Sequence, residues 1–322
     1  MQGLVTVFGG SGFIGGQVVR ALAKRGLRVR VACRHTNLAY KSPLQGEVGQ
    51  INIMQTNLRV PSSVDRALEG AEACVNLVGV LRESGRQRFQ SLHAQGARTV
   101  AEAAARRGIE RMVQVSAIGA DLDSPAKYAR SKAMGEAAVR EALPGATVVR
   151  PSVVFGQTDQ FFNRFAQMAT VSPVLPLPGG GATRFQPVYV GDVAEAVASC
   201  IVEPATAGRI YELGGPTVFT FRELMQLVLR EIQRERVLLP LPWSVAKLIG
   251  TLGDMLPIAP PLTADQVELL RSDNVVHEGM PGLADLGITP RAVEAIVPTY
   301  LYRYRRGGQF AEPASVASGA PG

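Results

Sequence analysis

Short apolar runs alternate with helical patterns along the first half of the chain. Leu4 to Phe8 is a run rich in apolar and β-branched residues that begins almost at the first residue. Behind it, Ile14, Val18 and Leu22 recur every four residues, and Gly26 follows them. A short apolar run is typical of a buried strand, and a four-residue recurrence closed by glycine is typical of an amphipathic helix. The sequence therefore opens with a predicted strand and helix.

The same alternation continues through the following residues. Further strands are predicted at Val29 to Cys33, Ile51 to Met54, Ala73 to Val78, Arg111 to Val115 and just before Arg150, and helices at Pro61 to Leu68 and Arg88 to Arg107. Strands that alternate with helices predict an α/β fold, a doubly wound parallel sheet with helices on both faces.

Three segments are predicted along the chain. Residues 1–155 would form the nucleotide-binding core. Residues 156–308 would form a smaller C-terminal α/β domain, with a strand and helix near 186–203 returning to the core. Residues 309–322 are rich in Ala, Ser, Gly and Pro, and we expect them to be disordered.

The glycine-rich turn between the first strand and helix indicates a dinucleotide site. Gly9, Gly12 and Gly15 are spaced three residues apart between a predicted strand and a predicted helix. Glycines at such positions permit a tight turn, a close approach of the backbone to pyrophosphate, and tight packing of helix on strand. The helix N-terminus then offers free N–H groups and a positive dipole end to the phosphates.

The residue after the second strand bears on the choice of cofactor. An NAD site would place Asp or Glu there to bind the ribose hydroxyls, whereas this chain has Arg34, a cation suited to a 2′-phosphate. The pattern favours NADPH over NADH. The alternative reading, in which Arg34 is a solvated loop residue, stays open.

A second motif carries candidate chemistry. Tyr128 and Lys132 are four residues apart and so share one face of a predicted helix, which Ser124 is expected to cap. An ammonium group near a phenol favours the phenolate, so we expect Lys132 to lower the pKa of Tyr128 towards a value useful for proton transfer.

Composition narrows the possible partners. Lys and Arg number 34 against 27 Asp and Glu, a net charge of +7. This excess suits an anionic partner or simple surface bias, but no basic run resembles a nucleic-acid arm. The three cysteines and three histidines are widely spaced, which favours reduced thiols in a cytosolic compartment and argues against a metal site. No run resembles a transmembrane helix.

One C-terminal segment has the composition of a docking surface. Leu238 to Ile249 contains the single tryptophan, Trp243, beside Leu and Pro residues. Such a segment suits a membrane surface or a partner groove. A lid packed on the core of the protein is the alternative.

These motifs together resemble the extended branch of the short-chain dehydrogenase/reductase superfamily. Similar stretches include Pro151 to Gly156 and Gln186 to Ala194. The resemblance implies that Tyr128 is a general acid/base and that Lys132 holds the nicotinamide ribose. The candidate catalytic residues are Tyr128 and Lys132, in a vestigial or weak role, together with Ser116. The expected cofactor-binding residues are Gly9, Gly10, Ser11, Gly12, Phe13, Ile14, Gly15, Arg34, Asn57, Leu58, Leu77, Gly79, Ser116, Tyr128, Lys132, Pro151, Ser152 and Val153.

One position departs from that family. Its enzymes carry a catalytic Ser or Thr two residues after the first hydroxyl residue that follows the fifth strand. Aligned on Ser116, this position holds Ile118, which has no hydrogen-bond donor on its side chain. Loss of one such donor typically costs a factor of about 10² to 10³ in rate, so activity would be weakened rather than excluded.

A narrower resemblance extends over nearly the whole chain. Phe8 to Gly15, Lys132 to Glu136, Gln157 to Ala166, Leu262 to Glu268 and Pro281 to Ile288 are similar to the NADPH-binding accessory subunit of respiratory complex I. The resemblance implies a structural or regulatory NADPH and other complex I subunits as partners. It also implies a peripheral location on the cytoplasmic face of a bacterial inner membrane, equivalent to the matrix side in mitochondria.

Two further expectations accompany this resemblance. The chain has no recognisable presequence, which suggests a bacterial subunit or a mature chain. The alternative function is an active NADP-dependent reductase, epimerase or dehydratase acting on a quinone, lipid or sugar nucleotide, with a possible link to quinone biosynthesis.

Overall fold

The computed structural model describes residues 3–41, 46–255 and 262–308. The predicted disordered tail, residues 309–322, lies outside these ranges. Among the described residues no helix is long and apolar enough to cross a membrane, and no group of three or more His, Cys, Asp or Glu could hold a metal ion.

The strands and helices agree closely with those predicted. The strands are β1 Leu4–Phe8, β2 Arg28–Cys33, β3 Ile51–Gln55, β4 Ala73–Asn76, β5 Arg111–Val115, β6 Thr147–Pro151, β7 Val154–Phe155, β8 Val174–Pro178, β9 Arg184–Phe185, β10 Val188–Tyr189, β11 Ile210–Leu213, β12 Phe219–Thr220 and β13 Val237–Leu241. The helices are α1 Phe13–Lys24, α2 Thr36–Lys41, α3 Pro61–Ala67, α4 Gln95–Arg106, α5 Lys127–Ala142, α6 Phe162–Val171, α7 Val190–Val202, α8 Phe221–Glu231, α9 Trp243–Met255, α10 Ala264–Leu269, α11 Val293–Ile296 and α12 Pro298–Leu301.

Two predicted elements differ in detail. The fourth strand ends at Asn76 rather than Val78, which leaves Leu77 to Gly79 as a loop at the edge of the sheet. The helix predicted from Arg88 to Arg107 begins with a π-helical turn, Gln90–Ala94, before α4. His93 lies in this wider turn, and its side chain is buried.

Seven parallel strands form the main sheet in the order β11-β6-β5-β4-β1-β2-β3. The predicted doubly wound parallel sheet is confirmed. All carboxyl ends of these strands meet at one edge, and the strand order reverses between β1 and β4. Ligands bind at such a reversal in open α/β sheets because the flanking loops diverge to opposite faces.

Both faces of the sheet are buried. On one side Val5 and Val7 pack with α1 and α7, and on the other Phe8 packs with α3 and α4. The sequences of the central strands are therefore mainly apolar, as expected for a sheet that is covered on both faces. Helix α7, which begins within the Gln186 to Ala194 stretch, packs on α1 and thus belongs to the same layer as α1.

The C-terminal residues build a second core beside the carboxyl edge of the sheet. Its aromatic centre joins Phe161 and Phe165 of the α6 region to Phe185 and Phe221, with ring centroids 5.3 to 6.2 Å apart. Helix α8 begins at a capping box, in which Thr220 and Glu223 satisfy each other's backbone N–H groups.

A buried ionic network lies between α5 and the β6 and β11 strands of the main sheet. The Arg150 guanidinium lies 2.7 Å from the Glu136 carboxylate and 3.4 Å from that of Glu212. His277 donates its backbone N–H to Glu212 and shares a second, 2.8 Å contact with it through Nδ1. Glu212 is 1% exposed, so Arg150 is needed to compensate two desolvated carboxylates.

Replacement of Arg150 should therefore destabilise the protein strongly. We expect Arg150→Leu to lower the free energy of unfolding by about 3 to 5 kcal/mol, since two buried carboxylates would lose their cation. Chemical denaturation measures this loss. The control is Arg98→Leu, which removes a partly exposed pair with Glu141 and should cost less than about 1 kcal/mol. Equal losses in the two variants would contradict this account.

Candidate functional site

The glycine turn has the geometry that a dinucleotide site requires. Gly9 has a φ of +81°, a left-handed conformation that disfavours any side chain. A Cβ atom on Gly15 would lie 2.2 Å from the carbonyl oxygen of Gly9, and one on Gly10 would lie 3.1 Å from Val31. Only glycines allow α1 to approach β1 this closely.

Helix α1 begins directly behind this turn. Gly12 occupies the N-cap position and has no side chain that could accept from the first-turn N–H groups. Ser11 precedes Gly12 along the chain, and Phe13 and Ile14 lie in the first turn of the helix. Backbone N–H groups and the positive end of the dipole can therefore face a pyrophosphate at the sheet edge.

Basic side chains lie at the carboxyl end of β2, where the adenosine half of a bound dinucleotide would lie. Arg34 is exposed and donates to Gln87 Oε1 at 3.2 Å, and Arg59 donates to the Arg86 carbonyl at 3.1 Å. An open cavity of about 400 Å³ is lined by Arg34, His35, Thr36, Asn37 and Gln55. A smaller neighbouring cavity of about 230 Å³ adds Thr56, Asn57 and Arg59 to the lining. Arg59 was missed in the sequence because no motif marks it.

Asn57 and Leu58 are predicted cofactor-binding residues whose side chains contact other parts of the protein. The side-chain oxygen of Asn57 accepts from the Arg59 N–H at 3.1 Å, which is a local turn. The Leu58 side chain is buried in the helical layer beside Gly96, so only its backbone can face an adenine ring. Their roles in cofactor binding stay predictions.

Tyr128 and Lys132 meet the loop after β4. A Cβ atom on Gly79 would lie 3.3 Å from Lys132 Nζ and 3.4 Å from His93 Nε2, so these three residues converge. Lys132 Nζ donates to the Val115 carbonyl at 3.3 Å. The chain thus brings the predicted nicotinamide-end residues to the ends of β4 and β5.

His93 is a site residue that no sequence motif marks. Its ring meets the Tyr128 ring edge-on, with centroids 5.4 Å apart. Nε2 accepts from the Val80 N–H, and because the Ser131 hydroxyl donates to the Tyr128 carbonyl, Nδ1 donates to Ser131. Burial, aided by the Lys132 charge, lowers the pKa of His93 to about 3. The imidazole is neutral and fixes the Tyr128 ring.

The expected effect of Lys132 on Tyr128 was wrong. Burial raises the pKa of Tyr128 to about 12, although part of the residue remains exposed. The Lys132 ammonium lies 5.9 Å from the centre of the phenol ring, and desolvation is the effect that dominates the pKa of Tyr128. Burial also lowers the pKa of Lys132 to about 8, against the opposing effect of Glu136.

The loop after β5 lacks the expected hydroxyl donor. Ile118 is 5% exposed, and its N–H donates to the Pro151 carbonyl at 3.0 Å. The Ser116 hydroxyl is buried and has no hydrogen-bond partner among the residues that the structure describes. A buried hydroxyl of this kind fits a ligand group bound at the sheet edge, and this supports a cofactor in the site.

Ser124 does not cap the helix that carries Tyr128, contrary to the prediction. Its hydroxyl accepts from the Ala126 N–H at 3.2 Å, and α5 begins only at Lys127. The cap comes instead from Asp265, whose carboxylate accepts from the N–H groups of Lys127 and Tyr128.

The segment after β6 is held from the C-terminal part of the chain. The Ser152 hydroxyl and the Val153 N–H both donate to Asn274 Oδ1, at 2.8 and 3.0 Å. Ser152 is therefore engaged with Asn274, and Pro151 with Ile118. Their proximity to a nicotinamide stays a prediction.

The chain belongs to the NAD dependent epimerase/dehydratase family, whose profile matches residues 5–214. This family, the extended short-chain dehydrogenase/reductases, binds NAD(P). The chain is similar to the mitochondrial "NADH dehydrogenase [ubiquinone] 1 alpha subcomplex subunit 9" of Arabidopsis thaliana, with 34% identity over 96% of this chain and 80% of that protein.

Two further comparisons concern enzymes. A ceramide reductase of Caulobacter vibrioides is 35% identical over 62% of this chain and 61% of its own length. The structure of an NADPH-dependent quinone oxidoreductase from Escherichia coli, complexed with NADPH, superimposes with a TM-score of 0.73 at 20% identity, covering 92% of this chain and 99% of that one. The second likeness shows the fold alone.

The glycine turn can be tested with two neighbouring substitutions. We expect Gly15→Ala to weaken binding of a nicotinamide dinucleotide more than tenfold, because the added methyl group would displace the Gly9 carbonyl. Gly16→Ala is the control, since a Cβ atom there meets nothing within 4 Å. It should leave binding unchanged and stabilise α1 by up to about 1 kcal/mol. Titration calorimetry and thermal unfolding report both effects, and equal binding by the two variants would contradict the assignment.

Proposed function

We propose that the protein binds NADPH at the edge of its parallel sheet. The supporting observation is the cationic end of the site, where Arg34 and Arg59 line adjoining cavities at the carboxyl ends of β2 and β3. A 2′-phosphate placed there could accept from two guanidinium groups in place of their present Gln87 and backbone partners. Asp or Glu, which would bind free ribose hydroxyls, is missing at position 34.

Charge reversal at Arg34 tests this preference. We expect Arg34→Glu to weaken NADPH binding about 100-fold while leaving NADH binding equal or tighter, because only the 2′-phosphate would be repelled. Arg28→Glu makes the same charge change at the opposite end of β2 and should affect neither cofactor. Fluorescence titration with both cofactors measures the ratio. A parallel loss of NADPH and NADH in Arg34→Glu would contradict the assignment.

We further infer that the bound cofactor is structural or regulatory, in an accessory subunit of respiratory complex I. The observation that carries this proposal is the buried Ile118, which leaves the position of a catalytic hydroxyl without a donor. The raised pKa of Tyr128 weakens the case for proton transfer further. The similarity to complex I subunits covers 96% of the chain and so includes the C-terminal part.

Helix α9 supplies a surface for peripheral attachment. Val245, Leu248, Ile249 and Leu252 are all exposed, and their spacing places them on one face of the helix. An uncovered apolar stripe of this kind suits insertion at the boundary between lipid headgroups and acyl chains. The net charge of +7 would favour an anionic leaflet. We propose that α9 lies on the membrane surface next to the complex, on the cytoplasmic face of a bacterial inner membrane.

Isolation from the native membrane tests the subunit proposal. We expect the protein to comigrate with NADH:quinone oxidoreductase activity and to retain unoxidised NADPH. A Leu248→Glu, Leu252→Glu variant should detach from that activity and lose most of its binding to anionic phospholipid vesicles, since two charges would enter the apolar stripe. Val218→Glu, an exposed position outside α9, is the control and should leave both unchanged.

An active NADP-dependent reductase is the second candidate. The similarity to a ceramide reductase favours it, as does the retained Tyr128 and Lys132 pair. A carbonyl in a lipid, quinone or sugar nucleotide would then be the substrate class. Protein that is found apart from the complex, with NADPH turnover abolished by Tyr128→Phe, would establish this function and overturn the subunit proposal.

A further inference from the structure

The C-terminal segment Thr263 to His277, here termed the strap, reaches the predicted nicotinamide end of the site. We propose that the strap completes this end, and that Asp265 and Asn274 are positioning residues for the nicotinamide half of the cofactor. The inference rests on the proposed binding of NADPH. It assigns to the C-terminal part a role in cofactor binding that the glycine turn and the Tyr128 motif do not provide.

Asp265 fixes the start of α5. Its Oδ1 accepts from the Lys127 N–H at 2.6 Å and its Oδ2 accepts from the Tyr128 N–H at 3.1 Å. The residue at the N-cap position, Ala126, has no acceptor on its side chain. A carboxylate there satisfies two N–H groups that would otherwise lack partners, and it also stabilises the positive end of the helix dipole. Lys132 lies on the second turn of the same helix, so Asp265 orients both motif residues.

The position of Asp265 is itself well defined. It lies in the first turn of α10, behind a capping box in which Thr263 accepts from the Gln266 N–H and the Gln266 side chain accepts from the Thr263 N–H. Helix α10 packs along α9. The carboxylate thus reaches α5 from a capped helix rather than from a loop.

Asn274 joins the two loops beyond β5 and β6. Its side-chain oxygen accepts from Ser152 and Val153, and its Nδ2 donates to the Ile118 carbonyl at 3.3 Å. Its backbone is held in turn, because its N–H donates to the Arg184 carbonyl and its carbonyl accepts from the Gln186 N–H. The Asn274 side chain therefore adds to the direct Ile118–Pro151 hydrogen bond in holding together the loops after β5 and β6.

The hydrogen bonds described for the strap lie on one half of the predicted site. They go to α5, to the loops after β5 and β6, and to residues 183 to 186 and Glu212. The cationic cavities are lined by residues 34 to 37 and 55 to 59. Disturbance of the strap should therefore weaken contacts with the nicotinamide half and spare contacts with the adenosine half.

Two ligands separate these halves. We expect Asp265→Ala to weaken NADPH binding about tenfold, the size of effect that loss of a helix cap can produce, and to leave binding of adenosine 2′,5′-bisphosphate within twofold. Asp265→Asn should recover most of the affinity, since its single oxygen can cap one N–H group. Arg271→Ala lies on the same strap, removes a 3.6 Å pair with Glu268, and should change the binding of neither ligand. The emission of bound NADPH should shift only in Asp265→Ala, because the nicotinamide environment changes.

Three results would count against the proposals. NADPH binding by Asp265→Ala equal to that of the parent protein would overturn the role of the strap. A parallel loss of both ligands would also overturn it, because the effect would then be general destabilisation. Failure of the parent protein to bind either ligand would refute the proposed function instead, and so is distinguishable from failure of the strap.

Discussion

The close approach of the turn after β1 to the start of α1 is the contact on which the site depends. A Cβ atom on residue 15 would lie only 2.2 Å from the Gly9 carbonyl oxygen. The close approach is therefore possible only with glycine at position 15. Because α1 is held tightly to β1, its N-terminus points at the edge where the strand order reverses. The proposed phosphate site at the N-terminus of α1 therefore depends on this contact.

Much of the fold was predictable because its signals are local. Apolar runs, helical recurrence and the glycine spacing each depend on residues within one or two turns of each other, and the strands they predict form the observed sheet. The wrong expectations depended on distant atoms. Ser124 does not cap α5, because Asp265 does so across 138 positions of sequence. The pKa of Tyr128 rises because burial outweighs the Lys132 charge, and neither burial nor the separation of the two groups can be read from a four-residue spacing.

His93 and Asn274 show what a sequence conceals at a site. Neither lies in a motif, and each acts through contacts with several elements. His93 packs against Tyr128 because a π-helical turn directs its ring inwards. Asn274 bonds two loops whose own residues are small or apolar, including Ile118. The loop that carries Ile118 is thus held in place through its carbonyl.

The proposed docking helix and the cofactor site share a structural element. Helix α9 packs on α10, α10 carries Asp265, and Asp265 caps the helix that bears Tyr128 and Lys132. If α9 docks as proposed, a surface that orders α9 and α10 also orders the nicotinamide end of the site. Thermodynamic linkage then requires the converse, that bound cofactor favours the docked state by the same factor. A cofactor that never turned over would still have a function here, because its binding would strengthen attachment without any chemistry.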